Sequence, residues 1–134
     1  MRLLLDTHAL LWWLKDDVQL GRNARDLIAD AENDILVSTV SLWEIVVKLR
    51  IGKLAADVHE IDDAIDTNRF ARIGIERMHL AALATLPRYA DHRDPFDHLL
   101  VAQAVAERAA FLSADRNARR YPVDVVPCSD EPGA

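Results

Sequence analysis

With 134 residues, 51% of them hydrophobic, and only four glycines and five prolines, the chain can bury one core of its own and is no disordered or fibrous protein. A formal net charge of −6 argues against the broad basic surface that most nucleic-acid binders use, although Lys48, Arg50 and Lys53 could still guide a polyanion locally. A lone cysteine, Cys128, excludes an intramolecular disulfide, and no segment is long enough to span a bilayer, so a cytoplasmic protein with no membrane contact is expected.

Leu3-Leu4-Leu5 is a continuous apolar run ended by Asp6, the pattern of a buried parallel strand. Asp6 and His8 also interrupt what could be mistaken for a leader peptide, and no small-residue cleavage site follows. A short helix is predicted through Leu10 to Leu14. A second places Leu20, Ala24, Leu27, Ile28 and Ala31 at amphipathic spacing, and Asn33-Asp34 breaks it before a strand at Ile35-Leu36-Val37.

From Thr39 a helix carries Leu42, Ile45, Val46 and Leu49 on one face and stops at Gly52. Asp57 and Glu60, spaced as a capping box, open another with Val58, Ile61 and Ile65 on one face. A strand around Arg72 to Ile75 and a helix ending before Pro87 follow. Tyr89 to Arg93 reads as loop. Asp94-Pro95 is a strong helix start, with Asp94 as N-cap, and the helix runs, apolar nearly all round, to about Arg108. Strands at Phe111-Leu112 and Val123 to Val126 complete the pattern. The alternation argues for a three-layer α/β/α domain over residues 1–127 with a central, mainly parallel sheet, and a polar tail over 128–134.

Four acids, Asp6, Glu44, Asp97 and Asp115, fall where a strand gives way to a turn or helix. Each has an ordinary structural explanation. Asp6 and Asp115 can cap or turn; Glu44 stands at capping-box spacing from Ser41 and four residues before Lys48; Asp97 suits the first turn of its helix. Ser38, Thr39 and Ser41 fit helix capping better than the orienting of Glu44. Jointly, the four acids lie at one edge of a parallel sheet, where loops from the carboxyl ends of the strands converge on a crevice. Clustered carboxylates stay ionised mainly by binding a divalent cation, and an all-oxygen donor set suits Mg²⁺ or Mn²⁺ rather than zinc.

The five histidines show no zinc-site spacing and read as surface or packing residues, with His8 and His98 close enough to candidate ligands to sit at the rim of the crevice. Trp12, Trp13 and Trp43 read as core or subunit-interface residues; of the adjacent pair, one is expected to be exposed.

The segments Leu5-Asp6-Thr7-His8-Ala9-Leu10-Leu11-Trp12, Ser41-Leu42-Trp43-Glu44-Ile45, His92-Arg93-Asp94-Pro95-Phe96-Asp97 and Ser113-Ala114-Asp115 together resemble PIN-domain ribonucleases, and above all the VapC toxins of type II toxin-antitoxin systems. The likeness runs from Leu3 to about Val126. It implies a Mg²⁺-dependent endoribonuclease, Mn²⁺ being a possible substitute, that leaves a 5′-phosphate and a 3′-hydroxyl. It further implies Asp6 and Asp97 as direct metal ligands, Glu44 and Asp115 as ligands through water or to a second ion, a homodimer, and a VapB-like antitoxin. His98 departs from the arginine that relatives often carry there. Two other readings stay open. One is phosphotransfer through an aspartyl nucleophile, disfavoured because Thr7-His8 supplies no second Asp after Asp6. The other is a non-catalytic module whose acidic crevice receives an arginine-bearing partner.

Overall fold

A computed structural model describes residues 1–130. Its strands and helices alternate as β1 (Arg2–Leu5), α1 (Thr7–Leu14), α2 (Arg22–Ala29), β2 (Asp34–Ser38), α3 (Thr39–Arg50), α4 (Val58–Thr67), β3 (Ala71–Ile73), α5 (Arg77–Thr85), α6 (Pro95–Ala106), β4 (Ala110–Ser113) and β5 (Val125–Pro127). A 3₁₀ turn over Arg116–Arg120, which the sequence pattern does not signal, joins the last two strands.

The sheet order is β3-β2-β1-β4-β5, and every neighbouring pair is parallel. Residues of β1 alternate between two cores. Leu3 and Leu5 pack with Ala9, Leu10, Ile28, Ile45 and Ile65, whereas Leu4 packs with Leu36, Leu100, Ala104 and Phe111 on the other face. This is the period of two expected of a strand, and both faces are covered, so the run has no polar side. Each fully buried leucine contributes about 1.5–3 kcal/mol relative to exposure. The expected three-layer α/β/α architecture is therefore the one observed.

Several caps follow the sequence. Asp94 accepts from the Phe96 N–H at 2.9 Å with Pro95 in the first turn, and Asp57 accepts from His59 at 2.9 Å. Gly52, just past α3, takes φ +74°, the left-handed conformation that glycine adopts without penalty. The expected tail begins inside the fold. Cys128 is buried, and the Asp130 carboxylate accepts from the first backbone N–H groups of α2, at Arg22 (2.7 Å) and Asn23 (3.0 Å). The rest of the expected tail, residues 131–134, lies outside the described residues. Among the described residues no helix is long and apolar enough to cross a membrane.

Candidate active site

The strand order places a topological switch point between β1 and β4: the chain moves outward from β1 to β2 and β3, then crosses back to β4 on the other side. In such sheets the crevice beyond the carboxyl ends of the two central strands is the usual ligand site. Asp6 follows β1 and Asp115 follows β4, so both open onto it.

Asp6 is the most tightly held of the acids. Its Oδ1 caps α1 by accepting from the Ala9 N–H at 2.7 Å, and its Oδ2 accepts from the Ser113 hydroxyl at 2.8 Å and the Ala114 N–H at 3.0 Å. Burial pushes this carboxyl above its usual range, against the opposing pull of those three hydrogen bonds. The Ser113 hydroxyl in turn accepts from the Asp115 N–H at 3.0 Å, so one small side chain ties the ends of both central strands together.

Glu44 is buried in the middle of α3. That helix starts at Thr39 with Ser38 as its N-cap, the Ser38 Oγ accepting from Val40 at 3.0 Å. Glu44 is therefore too far along the helix for the capping box that its spacing from Ser41 suggests. Thr7, one residue after Asp6, donates its hydroxyl to Glu44 Oε1 at 2.7 Å, and Lys48 donates to Oε2 at 2.7 Å. Burial alone would lower the Lys48 pKa, yet the hydrogen bond and charge of Glu44, helped by Asp94 and Asp97, leave it raised.

Asp97 lies in the first turn of α6, half-buried, and its pKa is raised to about 7. Burial is the first cause. The charges of Asp94, Glu44, Asp115 and Asp6 follow, so the four acids singled out by sequence are close enough to feel one another. Asp94, a cap in its hydrogen bonding, thus also adds to the negative potential. Asp115 caps the 3₁₀ turn by accepting from Asn117 at 2.9 Å through Oδ1.

Its other oxygen meets a residue that the sequence reading left among packing histidines. His92 is buried, with Nε2 3.0 Å from Asp115 Oδ2 and 3.5 Å from Asp97 Oδ2, and Nδ1 2.7 Å from the Tyr121 hydroxyl. The available signal was its place in the His92-Arg93-Asp94-Pro95-Phe96-Asp97 run. His98 stands one step back, its Nε2 donating to the His92 carbonyl at 2.6 Å. His8 is exposed and tilts against Trp12. Trp12 and Trp13 are both half-buried, since the short helix lets each ring lean on a neighbour; the exposed tryptophan is Trp43, which meets Phe96 edge-on at 4.7 Å.

Clefts lie on both sides of the acids. One, of about 640 Å³, is lined by Trp12, Ser113, Asp115, Arg116 and Arg119; the other, of about 840 Å³, by Arg88, Tyr89, His92, Arg93 and His98. An acidic pit with arginines along both flanks can hold a cation at its centre while attracting a polyanion across it.

Residues 3–124 match the model of the PIN domain family. The chain belongs to that family. Among solved structures the PIN chain is similar to VapBC2 from Rickettsia felis bound to a DNA fragment from its promoter (TM-score 0.70, 18% identity, 95% of this chain and 98% of that one). It is also similar to DNA-bound VapBC from Salmonella typhimurium (TM-score 0.68, 14% identity, coverage 96% and 98%). A third likeness is to VapBC-1 from nontypeable Haemophilus influenzae (TM-score 0.67, 12% identity, coverage 96% and 98%). At these identities the likeness is one of fold. No curated protein matches the sequence.

Proposed function

We propose that this PIN domain is a metal-dependent endoribonuclease and the toxin of a type II toxin-antitoxin pair. The observation that carries the reading is the grouping of the Asp97 and Asp115 carboxylates at the crevice, 3.5 and 3.0 Å from His92 Nε2, where burial and the charges of Asp94, Glu44, Asp115 and Asp6 push the Asp97 carboxyl up. Such a cluster holds a proton near neutrality unless a cation takes its place. The donor set fits a hard divalent ion: carboxylate oxygens dominate, and the ligand atoms of His92, Asp97 and Asp115 lie within 4.8 Å of one another. Asp6, Glu44, Asp97 and Asp115 are the residues that would hold Mg²⁺, or Mn²⁺ in its stead.

When bound, such an ion supplies an activated water and neutralises charge at the scissile phosphate. The chain does the rest. Ser113 and Thr7 hold the Asp6 and Glu44 carboxylates in place, and Lys48 balances part of the charge of Glu44. Arg116 and Arg119 on one flank and Arg88 and Arg93 on the other are placed to take the phosphates of a strand lying across the pit. The half-buried Trp12 ring, in the same cleft as Arg119, offers a face for an unstacked base, which favours a single-stranded RNA segment.

The fold's likeness to chains from VapBC complexes supports a VapB-like antitoxin as partner, and the exposed Trp43, Val46 and Ile51 of α3 and its C-terminal end support a homodimer. The test is cleavage mapping on total cellular RNA with wild type and Asp97→Asn, each with Mg²⁺ and with chelator. Cutting by wild type with Mg²⁺ alone is the expected result. Cutting that survives either chelator or the substitution overturns the reading.

A further inference from the structure

We propose that His92 is itself a metal ligand, its Nε2 joining the Asp97 and Asp115 carboxylates in a mixed nitrogen and oxygen site. The inference rests on the metal-dependent reading above and deepens it by changing the donor set. Neighbouring ligands of an octahedral ion at about 2.1 Å stand about 3 Å apart. The Nε2 of His92 is already 3.0 Å from Asp115 Oδ2 and 3.5 Å from Asp97 Oδ2.

The ring is fixed in that pose. Its Nδ1 meets the Tyr121 hydroxyl at 2.7 Å, the rings of Tyr121 and His98 pack against it at 5.6 and 5.0 Å between centroids, and its own carbonyl is held by His98 Nε2 at 2.6 Å. The imidazole is only 6% exposed, so turning Nε2 away would bury an unpaired nitrogen.

The partner on the far side suits a change of role. One ring nitrogen, Nε2, meets Asp115 Oδ2 at 3.0 Å, and the other, Nδ1, meets the Tyr121 hydroxyl at 2.7 Å. A ligating Nε2 carries no proton; the one ring proton then resides on Nδ1, and the Tyr121 oxygen accepts it. A hydroxyl both donates and accepts, so the Tyr121 oxygen can pair with Nδ1 in either tautomer. The group behind the histidine thus does for this ring what outer partners do at metal sites generally, which is to set its tautomer and orientation.

A nitrogen donor shifts preference. Mg²⁺ favours oxygen alone, whereas imidazole is better matched to Mn²⁺ and later metals of the series. The test is Mn²⁺ binding by the intact protein, read by calorimetry and by pulsed electron paramagnetic resonance for directly bound nitrogen. In wild type a nitrogen coupling is expected; in His92→Gln it vanishes and Mn²⁺ binds about tenfold or more weakly, with a smaller loss for Mg²⁺. Tyr121→Phe keeps the ring, so the coupling persists while Mn²⁺ affinity falls several-fold. Should His92→Gln fail to fold, the wild-type and Tyr121→Phe spectra decide the matter alone. Mn²⁺ bound by wild type without nitrogen coupling overturns the His92 ligand and leaves the nuclease reading standing. No Mn²⁺ binding at all overturns both.

Discussion

The two halves of the acidic pit are built differently. On one side Asp6 and Glu44 are buried, and each carboxylate oxygen has a protein donor: Ala9, Ala114 and Ser113 for Asp6, Thr7 and Lys48 for Glu44. On the other, Asp97 and Asp115 are about a third exposed at the side chain and share one buried imidazole. The first pair is buried under its donors and belongs to the scaffold as much as to the site. The second is more open to solvent, although Asp115 too accepts on both oxygens, from Asn117 and from His92. Capping and chemistry, which compete as explanations for each acid in isolation, are thus divided unequally between the halves.

The largest effect expected from this contrast is on activity. Asp97→Asn should lower RNA cleavage by about 10³-fold or more while leaving the urea midpoint unchanged or higher, since it removes one repelled charge and no capping bond. Asp6→Asn should cost activity and also about 2–4 kcal/mol of stability, because an amide –NH₂ must face a donor where Oδ1 or Oδ2 accepted one. If urea unfolding showed equal losses for the two variants, the division between a scaffold half and an open half would be wrong.

Thr7→Val tests the scaffold half without touching an acid. It keeps the volume but deprives Glu44 Oε1 of its donor, for an expected loss of about 1–2 kcal/mol in the same measurement. An unchanged midpoint would place the support of Glu44 in Lys48 alone.

The smallest effect concerns pH. The Asp97 carboxyl is raised from 3.8 to about 7, so between those values the folded chain holds a proton that the unfolded chain has lost. Its contribution to stability is therefore full at about pH 4 and is lost as pH rises through 7. Allowing for partial exposure, metal-free protein should lose about 1 kcal/mol over that range, and Mg²⁺ should flatten the profile. A metal-free stability that rises through this window in wild type but not in Asp97→Asn would contradict the charge cluster.

Much of this contrast was legible in the chain. Leu3-Leu4-Leu5 and Ile35-Leu36-Val37 announce central strands because both faces of each are apolar, and Asp94-Pro95 announces α6 because both residues act locally on the first turn. The acids at strand ends follow from the same reading. Less local facts were hidden. Ser38, not Ser41, caps α3, which moves Glu44 from a surface capping role into the core; spacing alone offered Ser41. Cys128 and Asp130 look like the start of a polar tail, yet they pack because α2 presents unpaired N–H groups nearby, and Gly21 has no Cβ to obstruct Asp130.

What the sequence by itself determined is the order of strands and α-helices, caps such as Asp94 and Asp57, and the four acids at strand ends, all consequences of interactions within a turn or two of the chain. Only the tertiary structure decided which acid meets which partner. His92 reaches Asp115 across 23 residues, and Ser113 reaches Asp6 across 107 because the sheet order sets β4 beside β1. Hydrogen bonds depend on positions to a few tenths of an ångström, and periodicity along a chain carries no information at that scale about residues so far apart.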